Sequence, residues 1–223
     1  DGTLVSFSML RSQQVIAPSE FITDGEFKAV GVDVDTIYVV VKRTINGSTK
    51  YFVEKFDSTL TLDCAVSGGA ASSVTAANLA GKTVKVIADG VVLGDVTANS
   101  SGVITFPRAS TTSYQVGINH DVEITTMPVE PRLQSGNLRG FKKRIIRVNA
   151  EFYQTQSASV NGQEVEFRQF DTAVLDSSVA QYTGIKKMGP FLGFDYEGSI
   201  TITQPVPLKM TLLFLDYQVS VGQ

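Results

Sequence analysis

Apolar and polar residues alternate with a period of two along almost the whole chain, and almost nowhere do they recur at 3.6. A chain patterned this way can bury its apolar side chains only by pairing strands, so an all-β protein of antiparallel sheets is expected, with helix confined to a turn or two. The first section reads as strands near 3 to 9, 12 to 17, 26 to 32, 36 to 44 and 50 to 56. Within it, TIYVVVKRTINGSTKYFVEKF (36 to 56) forms a hairpin about Asn46-Gly47, the dipeptide best suited to the two positive-φ positions of a type I′ turn. This section has the size of one propeller blade or one sheet of a sandwich.

SGGAASSVTAAN (67 to 78) is small and polar and reads as a linker. It leads to a compact module in which a second hairpin, 82 to 97 about Asp89-Gly90, precedes the strand VITFP (103 to 107), so a small β-barrel-like insert is expected. Beyond Arg108 come SYQVGIN, DVEITTMP, KRIIRVNAEFYQT, VEFRQF, SITIT and LKMTLLFLDYQVSV, broken by Gly, Pro and Asn. In the long strand, Ile146, Val148, Ala150 and Phe152 are expected on one face and Arg147, Asn149 and Glu151 on the other. The expected sections are 1–58 (a sheet section able to close a β-propeller), 59–108 (the small module) and 109–223 (sandwich-like). The opening Asp1-Gly2-Thr3, without methionine and running straight into LVSFSML, reads as the C-terminal part of something longer.

With 223 residues, 43% of them hydrophobic, the chain can bury one large core or two to three small ones. Its longest apolar runs, such as TLLFL (211 to 215), fall far short of the roughly 20 residues of a membrane-spanning helix. A single cysteine, Cys64, permits no internal disulfide, which suits assembly in a reducing cytoplasm. A formal charge of −3 gives no overall pull toward nucleic acid.

Motifs for chemistry are few. Gly81-Lys82-Thr83 ends like a phosphate-binding loop, but Ala76 stands where that loop needs glycine and a strand follows where it needs a helix; Lys82 is expected to be solvated. His120, the only histidine, has no neighbouring ligands for a metal, and a Cys64–His120 dyad is outweighed by a packed thiol and a loop histidine. The carboxylate pairs Asp33/Asp35, Glu164/Glu166 and Asp171/Asp176 could serve a hydrolase only if two acids opposed each other across a groove. Glu164 and Glu166 instead flank Val165 and are expected on one solvated face. No enzyme activity, cofactor or metal is expected. One charge anomaly stands out: Arg139, Lys142, Lys143, Arg144 and Arg147 crowd together in LRGFKKRIIR with no acid between them. They suit a subunit interface or DNA phosphates, or else form a solvated strand entrance guarded against edge pairing.

Three stretches, VVVKRTINGSTKYFVEKF (39 to 56), LAGKTVKVIADGVVLGDVTANSSGVITFPRA (79 to 109) and GNLRGFKKRIIRVNAEFYQT (136 to 155), occur in this order and are joined by YQVGINHDVEITTMPVE. With them the chain resembles the tail nozzle, or tail tubular, proteins of short-tailed bacteriophages and prophages, over most of residues 1 to 155. That resemblance implies a structural protein of the virion tail, assembled in the bacterial cytoplasm as a hexameric ring with other tail proteins about a DNA channel. Lys142, Lys143 and Arg144 are then expected at a subunit interface or facing the channel, where they could touch DNA without sequence preference. The alternative from a different class is a receptor- or glycan-binding adhesion module, which would expose an aromatic cluster from Tyr153, Tyr182 and Tyr196.

Overall fold

The computed structural model describes residues 2–130, 132–133, 136–137, 139–168 and 176–222. Its regular structure is almost all strand, with two single turns of 3-10 helix among the described residues, and it falls into two compact units, Asp1–His120 and Asp121–Gln223.

The first unit begins with β1 (Leu4–Leu10) and β2 (Val15–Phe21), which pair only with each other among the described residues. A three-stranded antiparallel sheet follows, β3 (Glu26–Asp33), β4 (Thr36–Ile45) and β5 (Ser48–Lys55). Asn46 and Gly47 both take positive φ, 49° and 74°, so the expected turn closes the β4–β5 hairpin and sets the register Ile45↔Ser48. Alternation then turns Val39, Val41, Arg43 and Ile45 to one face, where all four are buried.

β6 (Asp63–Gly68), β7 (Ala71–Thr75), β8 (Thr83–Ala88), β9 (Val91–Thr97), β10 (Val103–Ser110) and β11 (Tyr114–Ile118) build the middle module. The order β6-β11-β8-β9 makes one open sheet and β10-β7 a second, so no barrel closes. Leu79, Val84, Val86, Ile104, Phe106 and Val116 fill a common core. Asp89 and Gly90 take φ of 52° and 75° and turn β8 into β9, as expected. The Asp89 carboxylate also accepts hydrogen bonds from the amides of Thr111, Thr112 and Ser113, so one residue fixes two turns. Those amides, Thr111 first, and the Thr112 hydroxyl hold the Asp89 carboxyl well below its ordinary range.

The expected linker at 67 to 78 is largely strand. β7 pairs with β10 from Val103↔Thr75 to Ser110↔Ala71, and Val74 packs against the core. The only apolar members of β7, Ala71 and Val74, stand three positions apart, so no period-two pattern announces this strand.

β6 carries one extra residue where Val116↔Val66 gives way to Ile118↔Asp63, and Cys64 there has φ 44°. The bulge presses on Gly117, whose added Cβ would lie 2.6 Å from the Asp63 carbonyl oxygen and 2.8 Å from Leu62 Cβ. Gly117→Ala is therefore expected to cost about 1–3 kcal/mol through backbone displacement, read as a lowered urea midpoint. An unchanged midpoint would show that the bulge yields freely.

The second unit contains β12 (Glu123–Thr125), β13 (Arg132–Leu133), β14 (Gly136–Asn137), β15 (Lys143–Thr155), β16 (Ser159–Val160), β17 (Gln163–Glu164), β18 (Tyr182–Met188), β19 (Thr201–Thr203) and β20 (Leu212–Val221). Two sheets, β18-β15-β20 and β12-β19-β16-β17, share a core of Val148, Ala150, Phe152, Val160, Ile200 and Ile202, all essentially fully buried. A short hairpin pairs β13 with β14. β18, which carries Lys186 and Lys187, was not expected from the sequence; nor was the turn at Asn161-Gly162, although its dipeptide signals it.

The strand expected at 165 to 170 does not form over residues 165–168, and the remainder lies outside the described residues. Val165 and Phe167 are nevertheless buried while Glu164 and Glu166 face solvent. β15 corrects the expected faces. Between Ile145↔Val219 and Arg147↔Gln218 it holds one unopposed residue, so inward alternation changes phase: Lys143 and Ile145 are buried before the bulge, and Val148, Ala150 and Phe152 after it. Ile146, expected to share the Val148 face, is the residue that slips.

Candidate functional site

The phase change decides the fate of the basic cluster. Lys143 is 1% exposed, and its Nζ donates to the Tyr196 carbonyl oxygen at 2.9 Å. Its backbone exchanges hydrogen bonds with Asp195 in both directions. Arg144 Nε donates to the Phe191 carbonyl at 3.0 Å, and Lys142 Nζ lies 5.6 Å from the centre of the Tyr196 ring. Arg139 pairs with Glu130 at 3.4 Å and is largely exposed, and Arg147 faces solvent. Lys143 and Arg144 thus clamp the segment 191–196 to the start of β15. Lys142, Arg147 and Arg139 supply the outward charge. The buried Lys143 ammonium cannot also reach a phosphate, which removes it from the group expected to touch DNA.

A second polar constellation has no counterpart among the expected sites. Arg43 stands on the inward face of β4, in line with Val41 and Ile45, and its side chain is completely buried. Its Nε and Nη2 donate to the two carboxylate oxygens of Glu54 at 3.0 and 2.7 Å, a bidentate pair, and Nη1 donates to the Asp24 carbonyl at 2.6 Å. Asp63 lies 3.4 Å from Nη1 and accepts from the Thr23 hydroxyl and the Asp24 amide. Burial alone pulls Arg43 toward its neutral form, but the Glu54 hydrogen bonds and the carboxylate charges more than offset it and hold the guanidinium ionised. The legible signal is a cation falling on the apolar parity of a strand.

Nearby, Lys82 pairs with Asp24 at 2.7 Å, so it is not simply solvated as expected. Asn46 Nδ2 reaches the Ser100 carbonyl at 2.8 Å. The Gly-Lys-Thr stretch therefore helps tie the first sheet to the middle module and forms no phosphate loop.

Beside Arg43 a cleft of about 460 Å³ is lined by Phe21, Phe27, Phe56, Leu60, Cys64 and His120, among others. The structure brings Cys64 and His120 to one cavity. Burial first, and then the negative charge of Asp63, push the Cys64 thiol up to about 12, so it stays protonated near neutrality and is a poor nucleophile. Among the described residues no group of three or more His, Cys, Asp or Glu could hold a metal ion.

Asp33 and Asp35 bracket Val34 in the exposed β3–β4 turn, and Asp171 lies outside the described residues. Of the three tyrosines expected in an aromatic cluster, Tyr153 and Tyr196 are exposed. Tyr182 is half-buried, with its ring 5.9 Å from Phe167 and its hydroxyl donating to the Ile185 carbonyl. No helix among the described residues is long and apolar enough to cross a membrane. Neither the models of known protein families nor the curated proteins give a match to this chain.

Proposed function

We propose that this chain is a non-enzymatic structural subunit of a short-tailed bacteriophage tail, a nozzle or tail-tube component. In this reading it joins copies of itself and other tail proteins around a channel for DNA, within a virion assembled in the bacterial cytoplasm. The observation that carries the reading is the apolar surface left uncovered along β1 to β5. Phe7, Met9, Ile16, Val30, Val32 and Val53 each expose 58% or more, an arrangement suited to burial against other subunits. The β4–β5 and β8–β9 hairpins and the long strand β15, which lie in order in the three stretches that resemble the family, support it, as does a thiol held protonated. Electron microscopy of the chain with its tail partners tests it: rings are expected, and a persistent monomer would sink the idea.

In this reading the outward cations of the second unit meet DNA weakly and without sequence preference. Replacing Lys142 and Arg147 together by Ala is expected to reduce the slope of log affinity against log salt by about 0.9 for each phosphate that is no longer neutralised. Lys143→Met is expected to leave that slope unchanged, because its ammonium is spent inside the fold. A salt titration in which Lys143→Met weakens binding as much as the double variant would contradict this division.

A further inference from the structure

β1 and β2 form an arm. Their register runs unbroken from Leu4↔Phe21 to Leu10↔Val15, a length of roughly 20 Å, and no third strand joins them among the described residues. Near its base the arm is tied to the rest of the unit, where the Phe27 amide donates to the Gly2 carbonyl at 2.9 Å and the Phe21 ring meets Phe56 edge-on at 4.9 Å. Its two faces differ. The pairs Phe7↔Pro18 and Met9↔Ile16 make the outer part of one face apolar, with Val5↔Glu20 toward its base, whereas Ser6↔Ser19 and Ser8↔Ala17 make the middle of the other small and mostly polar. The apolar face is bare: Phe7 and Ile16 are each 66% exposed and Met9 60%. A two-stranded ribbon of this kind is marginal in water unless its apolar face is covered.

A second bare surface lies on the β3–β4 sheet. The face buried at Val39 and Val41 continues without cover through Val30 (58% exposed), Val32 (67%) and Ile37 (42%) toward the turn at Val34. Each surface offers apolar area on the order of 400 Å², so matching them would bury roughly 800 Å², comparable with the apolar share of a standard protein interface. Both are faces of short sheets, able to stack at the usual spacing of about 10 Å. Pro18 lacks an amide and so blunts pairing along β2, leaving face-to-face packing favoured over strand addition.

We infer that the β1–β2 arm is the donor half of a contact between copies of this chain, its apolar face seated on the bare end of the β3–β4 sheet of the next copy. The inference rests on the oligomeric reading proposed above and names the surfaces it uses. Because donor and acceptor are different patches, the contact repeats head to tail, and it closes into a ring when the rotation between copies permits.

Sedimentation of the full chain with two variants tests it. An arm variant, Phe7→Ser with Met9→Ser, and an acceptor variant, Val32→Asp, are each expected to raise the concentration needed for assembly at least about tenfold. Each should keep the wild-type circular dichroism. Mixed one to one, they retain one intact junction per pair and are expected to form a dimer that neither forms alone. Wild-type assembly that both variants match would overturn the arm contact, by showing the faces covered by another segment or another partner, while leaving the oligomeric reading in place. Variants that each fail to assemble and give no dimer on mixing would overturn the head-to-tail pairing. A wild-type chain that stays monomeric alone and with its tail partners would overturn both.

Discussion

Arg43→Met is expected to destabilise the unit holding residues 1–120 by about 3–5 kcal/mol, the usual cost of removing one partner from a buried ion pair. The methionine fills much of the space, so the loss is electrostatic: Glu54 and Asp63 keep their charges in a site that no longer holds a cation. The Asp24 carbonyl is left without its donor too, and the loop is then held to Asp63 through Thr23 and the Asp24 amide alone. Urea unfolding at neutral pH measures the loss, and a triple variant identifies the cause. Replacing Glu54 and Asp63 as well, by Gln and Asn, should recover part of the stability, because no carboxylate is then left buried without its cation. A deficit that the added Gln and Asn leave unchanged would show that packing, and not charge, is what Arg43 provides.

Phe152→Ala is expected to cost the second unit about 3–5 kcal/mol. Phe152 is fully buried near the end of β15, and its ring meets Phe167 edge-on at 5.5 Å. Phe167 in turn packs against Tyr182, over which Lys186 Nζ stands at 4.3 Å from the ring centre. Truncation opens a void at the inner end of this stack, between two sheets joined through one core. Phe152→Leu retains most of the volume and should cost about 1–1.5 kcal/mol. Amide exchange in β15 separates the cases: faster exchange from Val148 to Thr155 is expected for Ala and little change for Leu. Equal effects would mean that the site collapses around either side chain.

Where alternation runs through apolar residues, the strands are legible, and Asn-Gly and Asp-Gly place two turns to the residue. β7 and β18 escape because their neighbours supply what their own side chains do not: β7 has β10 beside it, and β18 has β15. Arg43 is readable in principle, since it shares the parity of Val39 and Val41, but which acids meet it depends on pairings distant in sequence. Lys143 is not readable, because nothing in KKRIIRV announces where an extra residue will slip. The two open sheets of the middle module likewise follow from long-range pairing, which short-range pattern leaves undetermined.

The slip at Ile146 divides β15 into two half-strands whose insides and outsides are offset by one position. A run of cations crossing such a point cannot present itself whole to a partner, because some of its members are addressed inward wherever the pleat turns. Were the slip smoothed out with Ile146 kept in step with Val148, Lys143 and Arg144 would exchange sides, the one surfacing as the other turned toward the core. The surface charge of this unit therefore depends on a register, and one residue's displacement redraws its pattern without altering the number of basic residues in the cluster.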